Sequence, residues 1–154
     1  MRSIFLNSKA TVAIILVISL FVLTNLQSCD KAKQFEGTTW ESSSFKVSEE
    51  LYNPWEDEFI TVEYTITVTI SFNKDDANVV ARASFIDPNT DFPTNSTVIG
   101  TAKYTYKKKD MSVNVTWNVA SVYGIDNGNW KGTVNNTTMT LNNVFNQTVT
   151  FTKK

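Results

Sequence analysis

Ile60-Thr61-Val62-Glu63-Tyr64-Thr65-Ile66-Thr67-Val68-Thr69-Ile70-Ser71-Phe72 alternates apolar and polar residues without a break. Successive side chains of an extended backbone point to opposite faces, so the apolar set from Ile60 to Phe72 shares one face. The Thr, Glu and Ser residues take the other. One dry face and one wet face describe a strand of an antiparallel sheet. The stretch therefore predicts β-structure built from strands that cover a core on one side only.

The same pattern continues outward from it. Asn73-Lys74-Asp75-Asp76 is turn chemistry, and Val79, Ala81, Ala83 and Phe85 line a return strand that Asp87-Pro88-Asn89 stops. Val98 to Lys107 alternates Ala102, Tyr104 and Tyr106 with Thr101, Lys103, Thr105 and Lys107. After Lys108-Lys109-Asp110, a strand from Met111 to Val119 carries Val113, Val115 and Trp117 on one face. Three shorter strands follow, marked by Trp130, Gly132 and Val134, by Met139 and Leu141, and by Val149 and Phe151. Asn135-Asn136 and Asn142-Asn143 separate them, because Asn tolerates left-handed backbone. On the N-terminal side a first strand is expected from Thr38 to Val47, with a helical turn around Ser48 to Leu51. The expectation is an all-β domain of about eight strands in an antiparallel up-and-down meander, closed into a barrel that leaves no edges. A two-sheet β-sandwich is the alternative.

Composition agrees with this fold and narrows the chemistry. Thr, Asn, Val, Ile and aromatics are abundant, which supplies strand formers and turn formers. The formal net charge is −1, so no basic field draws nucleic acid. The chain has no histidine and a single cysteine, Cys29. Nucleophilic relays built on imidazole, imidazole metal ligands, internal disulfides and thiolate zinc sites are thereby unavailable. No carboxylate is expected on an inward face, so the reading is of a protein that is not an enzyme and carries no cofactor or metal.

The first residues read as an export signal. Arg2 and Lys9 precede an apolar run from Ala10 to Leu23, and Ser28 precedes Cys29. Leu26-Gln27-Ser28-Cys29 resembles the lipobox of bacterial lipoproteins. That resemblance implies cleavage before Cys29 and acylation of its sulfur and new amino group. One acyl chain of myristoyl length holds a protein only marginally, at about 0.8 kcal/mol per buried methylene, whereas two or three make a durable anchor. The organisation expected is a signal peptide (1–28), a lipidated Cys29 with a tether (29–36), and a barrel domain (37–154). The location is the cell envelope, on the inner or outer membrane, and the membrane is the first partner.

Gly37-Thr38-Thr39-Trp40 at the first strand and Phe151-Thr152-Lys153 at the last resemble the lipocalin-like lipoproteins of Gram-negative bacteria. The resemblance implies a calycin-like barrel whose end is plugged by Trp40, with Lys153 as the basic residue beside it. Both roles are structural.

Candidate binding residues fall into two sets. Inward Tyr64, Tyr104, Tyr106, Trp117, Trp130 and Met139 would line a cavity for a small hydrophobic ligand, if the barrel is hollow, and form core if it is filled. Tyr52 and Trp55 sit in an acidic stretch with Glu49, Glu50, Glu56, Asp57 and Glu58, as a binding loop or as a solvated connection. The leading functional expectation is a lipid-anchored envelope protein that binds a small hydrophobic ligand. The alternative is a structural or inhibitory module acting on a protein partner through its loops at Ser48–Glu58 and Asp87–Thr97.

Overall fold

The computed structural model describes residues 34–53, 56–119, 123 and 125–154. Residues 1–33, on which the expected signal peptide and Cys29 fall, and Trp55 lie outside the described residues. Nine strands follow one another: β1 (Thr39–Ser42), β2 (Phe45–Asn53), β3 (Glu58–Phe72), β4 (Ala77–Ile86), β5 (Pro93–Lys107), β6 (Asp110–Trp117), β7 (Gly128–Val134), β8 (Thr138–Asn142) and β9 (Thr148–Lys153). Each strand from β3 to β8 pairs antiparallel with the next, and β1 pairs with both β9 and β3. Eight strands thus close into a barrel, and β2 is an extra strand on β3. The sheet is continuous and closes on itself, so the two-sheet sandwich is excluded. The architecture is that of a lipocalin-like barrel.

The stretch that predicted the fold behaves as read. In β3, Val62, Tyr64, Ile66, Val68, Ile70 and Phe72 are all buried. They meet Val79, Ala81 and Ala83 of β4, Val113 and Val115 of β6, and Leu141, Val149 and Phe151 from the opposite wall. Each such side chain, fully buried, contributes about 1.5–3 kcal/mol of transfer free energy.

The N-terminal strand differs from the expectation. Thr38 to Val47 is not one strand, and the helical turn expected at Ser48–Leu51 is strand. Trp40 stands opposite Ile70, but Phe45 stands opposite Ile66, so one extra residue has entered between them. That is a β-bulge. It switches the inward set from Trp40 and Ser42 to Phe45, Val47 and Leu51. A period-two reading fails across such an insertion, because parity changes within it. Ser42 repairs the ladder: its buried hydroxyl accepts a 2.8 Å hydrogen bond from the Val68 N–H. Bulges bend and twist a strand. Here β1 stays hydrogen-bonded to β9, while β2 continues along β3 without any other strand partner among the described residues.

Gln34 enters at the barrel end where the β3–β4, β5–β6 and β7–β8 turns and the C-terminus gather. This is the proximal end. Phe35 is 1% exposed there, with ring centroids 4.9 Å from Tyr106, 5.4 Å from Phe72 and 6.2 Å from Trp40. The sequence assigned Phe35 to a tether; in the structure it is core. Trp40 is also buried, and its Nε1 donates to Thr38 Oγ1 at 3.0 Å. Lys153 is its register partner across β1 and β9, exposed at the rim. Phe35 and Trp40 fill this end together.

Candidate functional site

The distal end carries the β2–β3, β4–β5, β6–β7 and β8–β9 connections. There, β2 has no ladder to β9, and a groove of about 660 Å³ lies between β2 and the β6–β7 and β8–β9 connections. One wall is Lys46, Val47, Ser48 and Glu49 of β2; Asp126, Phe145 and Gln147 form the other. Gln147 Nε2 donates to the Lys46 carbonyl at 2.9 Å and pins the narrow end. Since the Lys46 carbonyl faces the groove, the alternation of an antiparallel ladder turns the backbone groups of Ser48, Glu50 and Tyr52 the same way. These are the donors and acceptors of an edge strand.

The loop opposite is held firmly. Asn143 is 3% exposed, and its Oδ1 accepts from the Phe145 N–H at 3.0 Å and the Gln147 N–H at 2.9 Å. This buried amide sets the position of Phe145, which is 55% exposed. On the same side of the groove, next to Asp126, Asn127 Oδ1 accepts from the Trp117 N–H at 2.6 Å and fixes the approach to β7.

Inside the distal end, Tyr64 packs on Phe85 and Tyr123, each with centroids 5.0 Å away. The Tyr123 hydroxyl donates to Ser96 Oγ. Burial raises the Tyr64 pKa above its ordinary value, and the Glu49 carboxylate raises it further. Glu49 stands on the inward face of β2, half-buried, which corrects the expectation that no carboxylate faces inward. No group of three His, Cys, Asp or Glu is placed to hold a metal among the described residues. Asp87, in the β4–β5 turn, accepts instead from the Asn89 N–H at 2.8 Å.

The residues singled out from the sequence separate into three places. Tyr104 and Tyr106 sit at the proximal end around Phe35, and the Tyr104 hydroxyl donates to the Asn73 carbonyl at 2.8 Å. Trp117, Trp130 and Met139 are in the middle, 4%, 1% and 0% exposed. Tyr64 belongs to the distal cluster. Trp117 Nε1 and Trp130 Nε1 are buried and have no acceptor among the described residues. Tyr52 is on a strand rather than in a loop. It is 52% exposed, packs on Phe59 at 5.5 Å and donates to Asp57 Oδ1 at 2.5 Å. The hydrogen bond to Asp57 raises its pKa. The two loops read from the sequence shrink likewise, since Ser48–Asn53 is strand and β5 begins at Pro93.

The groove itself was missed. Its cause is the bulge, and its far wall comes from residues read only as turns. Phe145, an aromatic inside an Asn-rich turn, was the available signal.

In comparisons with known proteins, no family model, curated protein or solved structure matches this chain.

Proposed function

We propose that this protein is a lipid-anchored lipoprotein of the cell envelope that acts without catalysis, by holding an extended segment of a protein partner along β2. The observation that carries the reading is the free edge of β2 beside the groove. Addition of a strand to an exposed sheet edge uses main-chain hydrogen bonds for affinity and side-chain pockets for selectivity. Here Ser48 and Glu50 supply the main-chain groups, and Val47 and Phe145 supply apolar walls. Glu49, Glu50, Asp126 and the acidic tip at Glu56–Glu58 favour a segment bearing Lys or Arg. The interior, filled by Trp117, Trp130, Met139, Leu141 and Phe151, favours this over a hydrophobic ligand inside the barrel. The anchor rests on the lipobox-like Leu26-Gln27-Ser28-Cys29.

Two measurements test it. Labelled palmitate should enter the chain in cells and be lost from Cys29→Ser. A photo-crosslinking residue at Ser48 should capture a discrete partner in the envelope, while the same residue at Thr101, on the outer face of β5, should not. Equal yields at both positions would refute the edge as the binding surface.

A further inference from the structure

The balance of charged side chains in the described domain differs between the two barrel ends. Lys107, Lys108 and Lys109 of the β5–β6 turn region, Lys74 of the β3–β4 turn and Lys153-Lys154 at the C-terminus are all exposed at the proximal end. Five acids share that end: Asp76 pairs with Lys103 at 3.9 Å and Glu41 with Lys154 at 2.9 Å, while Glu36, Asp75 and Asp110 are exposed, so the lysines, Lys103 included, outnumber the acids by seven to five. The distal end is acidic, with Glu50, Glu56, Asp57, Glu58, Asp91 and Asp126 exposed. A net charge of −1 conceals this separation.

Chain connectivity gives the division a direction. Phe35 is locked into the proximal end, so everything upstream of Gln34 leaves from the basic face. The sequence there adds Lys33, Lys31 and Asp30, then Cys29 and the apolar run Ala10–Leu23. From Phe35 back to Cys29 the chain spans at most about 3.3–3.6 Å per residue, which keeps the basic face within a short reach of whatever holds Cys29.

We propose that the proximal end is a docking face for an anionic lipid surface, and that it orients the barrel with the β2 groove pointing away from the bilayer. The proposal rests on the anchored reading above and adds the lipid chemistry and the orientation. Anionic headgroups attract Lys side chains near the surface and repel the carboxylates of the distal end, so both ends of the molecule favour the same pose. Screening limits the effect to about a Debye length, near 8 Å at physiological salt; the connection to Cys29, at most about 20–22 Å long, lets the face come within that range, and the lysines hold it there. The pose leaves the groove open to a partner from the aqueous side.

The test uses the full chain, isolated from envelope membranes and reconstituted into phosphatidylcholine vesicles with or without phosphatidylglycerol. Asn136→Cys, in the β7–β8 turn, and Thr90→Cys, in the β4–β5 turn, carry a fluorescent thiol label; both positions are exposed. Acrylamide, an uncharged quencher, reports access from water. With phosphatidylglycerol present, quenching at position 136 should fall about threefold or more and recover in 1 M salt, where the Debye length is about 3 Å. Quenching at position 90 should not change. Replacing Lys107, Lys108 and Lys109 by Glu should abolish the protection. Equal quenching at position 136 in both vesicle types, or protection at position 90, overturns the proposal. So does protection of position 136 by free polyphosphate in neutral vesicles, which would assign the face to a soluble polyanion. The anchor is judged separately, since acylated Cys29 takes no thiol label. Labelling of the unsubstituted chain would refute the anchor and leave the vesicle comparison readable.

Discussion

Gly132 shows how tightly the sheet is packed at single positions. A Cβ there would fall inside the contact distance of the Thr140 backbone carbonyl on β8, and backbone cannot move aside as a flexible side chain can. Gly132→Ala should destabilise the domain by about 1–3 kcal/mol or more, read as a lower urea midpoint with an unchanged slope. Tyr104 offers a second test, through pH. Burial, and then the carboxylates of Asp75, Glu36 and Asp76, raise its pKa above the ordinary phenol value. The folded state therefore holds the phenol proton more tightly than the unfolded chain does. That contribution is complete below the unfolded value of about 10 and is lost as pH rises through the higher folded value. Thermal midpoints should decline in strongly alkaline buffer, and more shallowly in Tyr104→Phe. At neutral pH the same substitution should cost about 0.5–1.5 kcal/mol for the lost hydrogen bond to Asn73. A decline of equal steepness in both proteins would exclude Tyr104 as its source.

At the scale of the element, β2 is the strand that departs from the barrel, and proline can separate its two edges. Ser48 turns its N–H toward the groove, whereas Glu49 turns its N–H toward β3. Proline removes one backbone donor and fixes φ near −65°. Ser48→Pro should leave stability within about 1 kcal/mol, since edge strands accept proline on their outer side, and should abolish partner crosslinking from a photo-reactive residue placed at Glu50. Glu49→Pro removes a ladder bond and leaves its β3 acceptor unpaired, and should destabilise the domain by about 1–3 kcal/mol. Hydrogen exchange of the β3 amides would show the difference directly. If both variants were equally destabilised, the alternation inferred from the Lys46 carbonyl would be wrong. An edge strand of this length invites unwanted pairing, and charged side chains are one way proteins suppress it. Lys46, Glu50 and the Lys46–Glu63 ion pair at 2.7 Å serve that purpose, although an exposed pair contributes little stability.

For the molecule as a whole, closure depends on contacts between its beginning and its end. β1 bridges β3 and β9, and Phe35 seats the upstream chain against Phe72, Tyr104 and Tyr106. Phe35→Ala should therefore cost about 3–5 kcal/mol, as for other buried aromatics. It should also lengthen the connection between the domain and Cys29. In reconstituted vesicles the label at Asn136→Cys would then lose part of its protection, even where the domain remains folded by circular dichroism. A fully stable Phe35→Ala protein would mean that Trp40 alone fills the proximal end. The opposed charges of the two ends and the position of the groove are properties of the assembled barrel, and neither could be assigned to any one strand.

The sequence by itself determined the fold class, because side-chain alternation is a local property and most of β3 through β9 keeps it, with β5 around Thr94 to Ile99 the main exception. It also determined the missing imidazole chemistry and the position of the lone cysteine, which are matters of composition. Only the tertiary structure decided the rest. The bulge between Trp40 and Phe45 changes strand parity, and parity is defined by the partner strand rather than by the strand's own residues. Phe35 reads as one aromatic in a polar segment until the barrel end it fills exists. The groove joins β2 to loops about a hundred residues further along. No local pattern records that meeting, because the distance is closed by the barrel and by the bend that keeps β2 out of it.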